Sequence, residues 1–397
     1  MELTIMKRNK KPINLMRSTF FEERETKKKL AEFIQTTEIL SMGKETQRFE
    51  KAFAKKQKRK YAVFVNSGGS ANLLLLQALL NIGKIKKGAK VGVTALTWAT
   101  NVTPIIQLGL IPVVVDISIA TLNVSPETLT PHLSNIDVFF ATNVLGFADK
   151  IDVIRKMCKK HNIVFIEDNC ESLGSEVDNE LLGNFGLAAT FSFFVAHHIS
   201  TIEGGMIVTD DENLYTALVM ARANGWDRNL PSDKQAALRK KVGIDAFSAK
   251  YTFFDLSYNV RPTDITAFIG NSQLKFWRKI IDSRAANFKL FNDAIQKNDH
   301  LIHFDLHHMT KISNFAIPVI AKDAESFNYY KNLFIYHNVE IRPIIAGNIA
   351  QQPFFKKYVM DRGKQPNADL VHKHGFYFTN NPELLSEEKE LLVELLK

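Results

Sequence analysis

The chain has 397 residues, 45% of them hydrophobic and 23% charged, with a formal net charge of +9. That is a globular composition, long enough for one large domain and a smaller one. Two cysteines, Cys158 and Cys170, exclude a disulfide framework and a cysteine-ligated cluster, and they point to a reducing, cytoplasmic setting.

The first fifteen residues, MELTIMKRNKKPINL, lack the apolar core of a signal peptide. Positive charge gathers in KRNKK (7–11), KKK (27–29) and KKQKRK (55–60). No aromatic interleaving or nucleic-acid motif accompanies these runs, so a solvated lysine-rich face is expected, with no nucleic-acid partner. Such a field also favours a polyanionic small substrate.

From residue 61 onward, short apolar runs alternate with helical stretches. YAVFV (61–65) precedes the helix-like ANLLLLQALL (71–80). KVGVTAL (90–96) precedes TWATNVTPIIQLG, and PVVVD (112–116) and DVFFATN (137–143) follow. The apolar region IIQLGLIPVVVDISI is broken by Gly109, Pro112 and Asp116, short of the roughly 18 apolar residues of a membrane span. A helix is expected near 150–160, then strands at IVFIEDN (163–169), ATFSFF and GGMIVTD. Val-, Ile- and Phe-rich strands alternating with helices predict a mostly parallel sheet covered on both faces. A long helical region near 263–298 leads to a smaller C-terminal unit with ISNFAIPVI, AESFNYYKNLFIYHN, VEIRPII and a closing helix at SEEKELLVELLK.

In such sheets ligands bind at the carboxyl ends of the strands. NSGGSAN (66–72) ends one strand and opens a helix. Its glycines admit close approach of an anion to backbone N–H groups, though a plain strand–helix turn reads the same way. Trp98 in TWAT suits either stacking on a flat ring or core packing. Glu167 and Asp168 end a buried strand, where a carboxylate needs a partner: a protonated ring nitrogen, a helix N-terminus or an arginine. Glu171 is a further acid nearby. His197 and His198 stand together in FSFFVAHHISTIEGGMIVT, and no lysine occurs between Lys160 and Lys234. Adjacent histidines seldom aim at one ion, and neither they nor HFDLHH (303–308) belong to a complete ligand set, so no metal is expected.

Taken together, NSGGSAN, TWAT, PVVVDI, the EDNC stretch and YNVRPTDITAFIGNSQL (258–274) resemble the sugar aminotransferase family of pyridoxal-phosphate enzymes. The resemblance covers roughly residue 35 to the C-terminus. It implies the aspartate-aminotransferase-like α/β fold (fold type I): a large cofactor domain with an N-terminal arm (1–285), built on a mostly parallel seven-stranded sheet, and a small C-terminal α/β domain (286–397). It also implies that Gly68, Gly69, Ser70 and Ser192 hold the cofactor phosphate. Trp98 would stack on the ring, and Asp168 would bind the pyridinium nitrogen. Asn259 would reach the phosphate of the partner subunit in a homodimer. Glu171 stands where the family often has Gln, near the ring. Gly69 departs from the family's usual Thr or Ser.

The decisive departure is at the histidine pair. Aligned on Glu203-Gly204-Gly205, the lysine that forms the family's internal Schiff base falls on His197. Imidazole moves protons near neutral pH but cannot form that bond. Pyridoxal or pyridoxamine phosphate is therefore expected to bind non-covalently. The substitution resembles the sugar-nucleotide 3-dehydratase branch of the family. Phe194 and the scarcity of cysteines, with HHISTIEGG and IRPIIAGN, resemble the branch acting on GDP-4-keto-6-deoxymannose on the colitose route more than the CDP-sugar, iron–sulfur type. The resemblance implies that His197 removes the C4′ proton and protonates the departing C3 oxygen. Ammonia is then lost, and L-glutamate re-aminates the cofactor and leaves as 2-oxoglutarate. Arg222, Arg342 and Asn348 are candidates for sugar or nucleotide contact; both arginines fit salt bridges equally well. An amino-transferring enzyme and a non-catalytic pyridoxal-phosphate-binding sensor are the rival readings.

Overall fold

The computed structural model of the chain describes residue 9 and residues 11–397, so most of the basic run at 7–11 lies outside the described residues. Among the described residues thirteen strands occur in chain order. The first five are β1 (Tyr61–Val65), β2 (Lys90–Thr94), β3 (Ile111–Val115), β4 (Val138–Thr142) and β5 (Val164–Asp168). Next come β6 (Glu176–Val177), β7 (Glu180–Leu181), β8 (Ala188–Ser192) and β9 (Gly205–Thr209). The last four are β10 (Met309–Lys311), β11 (Ala316–Ile320), β12 (Ile341–Pro343) and β13 (Gly375–Thr379).

Seven of them form one sheet in the order β1-β9-β8-β5-β4-β2-β3. Neighbours from β8 through β3 run parallel, while β9 runs antiparallel to both β1 and β8. The mostly parallel sheet read from the sequence is present, with one reversed strand created by the turn that carries the histidine pair. Continuous burial of β4 and β9 reflects cover on both faces. Period-two alternation divides the apolar side chains between two cores. Val63 and Val65 join the larger one, whereas Ala62 and Phe64 join an aromatic-rich cluster with Phe49, Phe53, Phe191 and Phe193.

Helix Gly68–Asn81 begins where β1 ends, and Ser67 caps it by accepting from the Ser70 N–H at 3.0 Å. Leu74, Leu75 and Leu76 of its LLLL run are buried, and the helix packs against β8, β9 and neighbouring helices. The expected long helical region is present as Asp264–Gln273 and Trp277–Ile295, separated by a short 3-10 turn.

In the C-terminal part, β13 pairs antiparallel with both β11 and β12. This central strand, GFYFT, is absent from the sequence reading. Some of the basic residues are paired locally: Lys27 and Lys29 with Glu23 and Glu25, and Arg59 with Asp210. Among the described residues no helix is long and apolar enough to cross a membrane.

Candidate active site

A cavity of about 460 Å³ opens at the carboxyl ends of β5 and β8. Seven residues anticipated from the sequence line it: Gly68, Gly69, Trp98, Asp168, Glu171, Ser192 and His197. Ser70 lies just behind them, in the first turn of its helix. Two unused backbone donors of that turn and the helix dipole make this rim suited to an anion.

Successive side chains of β5 point to opposite faces, which separates the two carboxylates that end it. Glu167 is fully buried and accepts from the backbone N–H groups of Gly183, Phe185 and Gly186 at 2.8, 2.8 and 2.7 Å. It fixes the loop before β8. Asp168 faces the cavity instead. Its Oδ2 accepts from Asn72 Nδ2 at 2.9 Å and Asn101 Nδ2 at 2.7 Å, and its Oδ1 accepts from the Cys170 N–H at 2.9 Å. Asn72 is itself held by Thr190, whose hydroxyl donates to its Oδ1 at 2.6 Å. Neither asparagine was singled out in the sequence, although each opens a largely apolar helical stretch, ANLLLL and TNVTPII.

The turn between β8 and β9 presents His197. Phe193 N–H donates to Gly204 O and Thr201 N–H to Phe193 O, both at 2.9 Å, so the turn closes on itself. A Cβ on Gly205 would fall 2.2 Å from the Ser67 carbonyl oxygen, so only glycine lets this turn press against the start of the anion-binding helix. His197 is partly buried, its ring edge-on to Phe315 with centroids 5.2 Å apart. Burial drives its imidazole down to about 4, against the opposing pull of Asp168. It is thus a neutral base at ordinary pH. His198 turns the other way: it is buried, and its Nε2 bonds the Ser313 carbonyl at 2.8 Å.

Glu171 accepts from the Leu145 N–H at 2.9 Å. Burial pushes its carboxyl up to about 7, and the nearby Asp168 charge adds to the rise. Tyr377 from β13 also lines the cavity, its phenol raised first by burial and then by Glu171. Cys170 lines it too, with its thiol held well above the usual range by burial.

Four sequence candidates lie outside the cavity lining. Arg222 is buried, paired with Glu50, and donates to the Phe64 carbonyl at 2.8 Å, so its guanidinium is engaged inside the fold. Asn348 is buried, donating to Asp369 Oδ1 at 2.8 Å and accepting from the Ala350 N–H. Arg342 is an exposed partner of Glu340, in register with Tyr377 across β12 and β13. Asn259 is exposed and accepts from Arg261 Nε at 3.1 Å. Two of the HFDLHH histidines are bound to backbone, His303 to Asn298 O and His308 to Ala148 O, while His307 is exposed beside Asp305.

Residues 21–397 match the sequence profile of the DegT/DnrJ/EryC1/StrS aminotransferase family. The chain belongs to that family. Within it, the chain is 36% identical over 370 residues to the GDP-4-keto-6-deoxy-D-mannose 3-dehydratase of Escherichia coli O55:H7, covering 91% of this chain and 94% of the relative. A solved GDP-4-keto-6-deoxymannose-3-dehydratase, a histidine-to-asparagine variant with GDP-perosamine bound, superposes with a TM-score of 0.88 at 33% identity, over 97% of this chain and all (100%) of that one. Another structure of that enzyme, with a trapped adduct of pyridoxal phosphate and glutamate, gives a TM-score of 0.87 at 33% identity over the same shares, 97% and 100%.

The residues present fit a pyridoxal-type cofactor. Gly68 leaves a gap that its own Cβ would close, 2.6 Å from Ser192 Cβ. Asp168 is aimed inward by three donors, and His197 Nδ1 is enclosed with no hydrogen-bond partner. Trp98 is 56% exposed at the rim, an open face for an aromatic ring.

Proposed function

We propose that this chain is a pyridoxal-phosphate-dependent 3-dehydratase that removes the C3 hydroxyl of GDP-4-keto-6-deoxy-D-mannose. The observation that carries this reading is His197 on the cavity wall beside Asp168, with no lysine among the described lining residues. The relative matched at 36% identity and the solved structure matched at 33% carry this activity in their names.

Gly68, Gly69 and the first turn of helix Gly68–Asn81, with Ser192, hold the phosphate. Asp168 holds the ring nitrogen in its protonated state, and Trp98 covers the ring face. When bound, the cofactor supplies an amino group and an electron sink. His197 takes a proton at C4′ and delivers it to the departing C3 oxygen, a transfer suited to a neutral imidazole. Without a lysine amine to capture and release an amino product, hydrolysis with loss of ammonia is the remaining outlet. L-Glutamate restores the amino form and leaves as 2-oxoglutarate. Tyr377 and Glu171 are placed to donate hydrogen bonds to the sugar or the ring hydroxyl, since both retain protons at or near neutral pH.

A homodimer completes the proposal: Asn259, exposed and away from its own chain's cavity lining, is available to a partner's site. The product belongs on the route to GDP-colitose.

The test is mass spectrometry after mixing the protein, pyridoxal phosphate, L-glutamate and GDP-4-keto-6-deoxymannose. A 4-keto product lacking one oxygen, with equal amounts of 2-oxoglutarate and ammonia, is expected. Retention of nitrogen on the sugar would make the chain an aminotransferase. Turnover of only the CDP-linked 4-keto-6-deoxyglucose would move it to the other dehydratase type.

A further inference from the structure

Arg284 lies on helix Trp277–Ile295 and is 5% exposed. Its Nη1 donates to the carbonyls of Phe315 at 2.7 Å, Asn380 at 3.0 Å and Asn314 at 3.5 Å. Its Nε is buried without a partner. Among the described residues it forms no ion pair, and burial lowers the guanidinium to about 9. A buried cation outside any ion pair is costly, and carbonyl acceptors repay only part of that cost. Glutamine or methionine would fill the space without the penalty, so the charge itself calls for an explanation.

Two links lead from Arg284 to His197. One is mechanical. Residues 313–315 are pinned by His198 on the Ser313 carbonyl and by Arg284 on the Asn314 and Phe315 carbonyls. Phe315 then packs its ring against His197. The other is electrostatic, because the Arg284 charge disfavours protonation of both His197 and His198. The remaining groups around His197 are mainly acidic. Asp168, Cys170 and Glu171 face it from the end of β5, Glu203 from its own turn and Tyr377 from β13. Glu383 lies behind it, in a small cavity that His197 and His198 share with Arg284. Asp168 is the group that pulls most strongly towards an imidazolium. Once the Asp168 charge is engaged by a ring nitrogen, that pull weakens and Arg284 acts against less opposition.

We propose that Arg284 is a positioning residue for His197: it fixes the backbone that seats Phe315 on the imidazole, and its charge adds to the burial that keeps the ring in its proton-accepting form. The inference rests on the proton-transfer role given to His197 above.

The test is an NMR pH titration of histidine side chains in the full-length protein labelled with 13C and 15N on histidine, with the His197 signal assigned from its loss in His197→Asn. Wild type should keep His197 neutral at pH 5.5. Arg284→Gln should raise the titration midpoint by about one pH unit, while Arg284→Lys, which keeps the charge, should leave it within a few tenths. Phe315→Leu should lower kcat several-fold with the midpoint unmoved. A wild-type midpoint near 6.5 overturns the electrostatic half even if Arg284→Gln does not fold. So does an unshifted midpoint in folded Arg284→Gln. An unchanged kcat in Phe315→Leu overturns the mechanical half. The titration is read without turnover, so its failure is distinct from a failure to deoxygenate the sugar.

Discussion

Asn101 donates its side-chain amide to Asp168 Oδ2 over 2.7 Å, and Asn72 donates to the same oxygen over 2.9 Å. Two neutral amides, from two helices that start at two different strand ends, thus aim one carboxylate into the cavity. Because neither donor is charged, the negative charge remains available to a cationic ring.

Removing one donor tests that arrangement. Hydrogen bonds to ionised groups contribute about 1.5–3 kcal/mol, so Asn101→Ala should weaken pyridoxal phosphate binding about tenfold to a hundredfold. Absorbance titration of the apo-protein measures it. Wild-type affinity in that variant would mean that Asp168 needs no help from Asn101.

Much of this was legible in the sequence, and the rest has a physical reason for being hidden. Asp168 and Gly68 stand out because ligand sites of parallel sheets gather at strand ends, which show as local patterns, whereas Ser192 comes from the family resemblance; all three line the cavity. The strand β13 is hidden because helix Pro366–His374 passes into it at Gly375 with no intervening loop. Arg222 reads equally as a substrate contact or a salt bridge in the sequence, and the structure pairs it with Glu50. Its partner Glu50 lies 172 residues away, and nothing near Arg222 reveals that a carboxylate waits there. Asn348 is likewise occupied by Asp369, on a helix the sequence reading did not identify. Buried polar residues read like site residues until their distant partners are known.

The Glu50–Arg222 pair gives the second prediction. Removing one member of a buried ion pair strands the other and costs about 3–5 kcal/mol. Glu50→Ala should therefore lower the melting temperature by several degrees while leaving KM for the nucleotide sugar unchanged. A raised KM at an unchanged melting temperature would return Arg222 to substrate binding.

Glu171 gives a pH prediction for the apo-protein. Its carboxyl is raised to about 7 in the fold from an ordinary value of 4.5. Between these values the folded state holds a proton that the unfolded chain has released. Its contribution is therefore fully present below about 4.5 and is lost as pH rises through about 7. Burial of His197 and His198 works in the opposite sense, since both are lowered and favour the fold as pH rises. Comparing Glu171→Gln with wild type isolates the carboxyl. Urea unfolding should show the variant gaining on wild type from pH 4.5 to 7 and holding a constant difference above about pH 8. A difference independent of pH would place the Glu171 carboxyl in its ordinary range.

The last prediction concerns the residue on which the functional reading depends. His197 stands on a turn held against the start of helix Gly68–Asn81 by Gly205, so a side chain placed there is directed at the cavity that Asp168 and Ser192 also line. His197→Lys puts a primary amine in that place. It should form a covalent link to pyridoxal phosphate that borohydride reduction makes permanent, seen as added mass on the intact protein. Deoxygenation should fall by about a hundredfold or more, the usual contribution of a positioned proton-transfer group. His197→Asn separates the two effects: it should lose the same activity without gaining the covalent link. If His197→Lys deoxygenated the sugar at the wild-type rate, the proton transfer would belong to another group, and Tyr377 and Glu171, both on the same cavity wall, would be the residues to examine next.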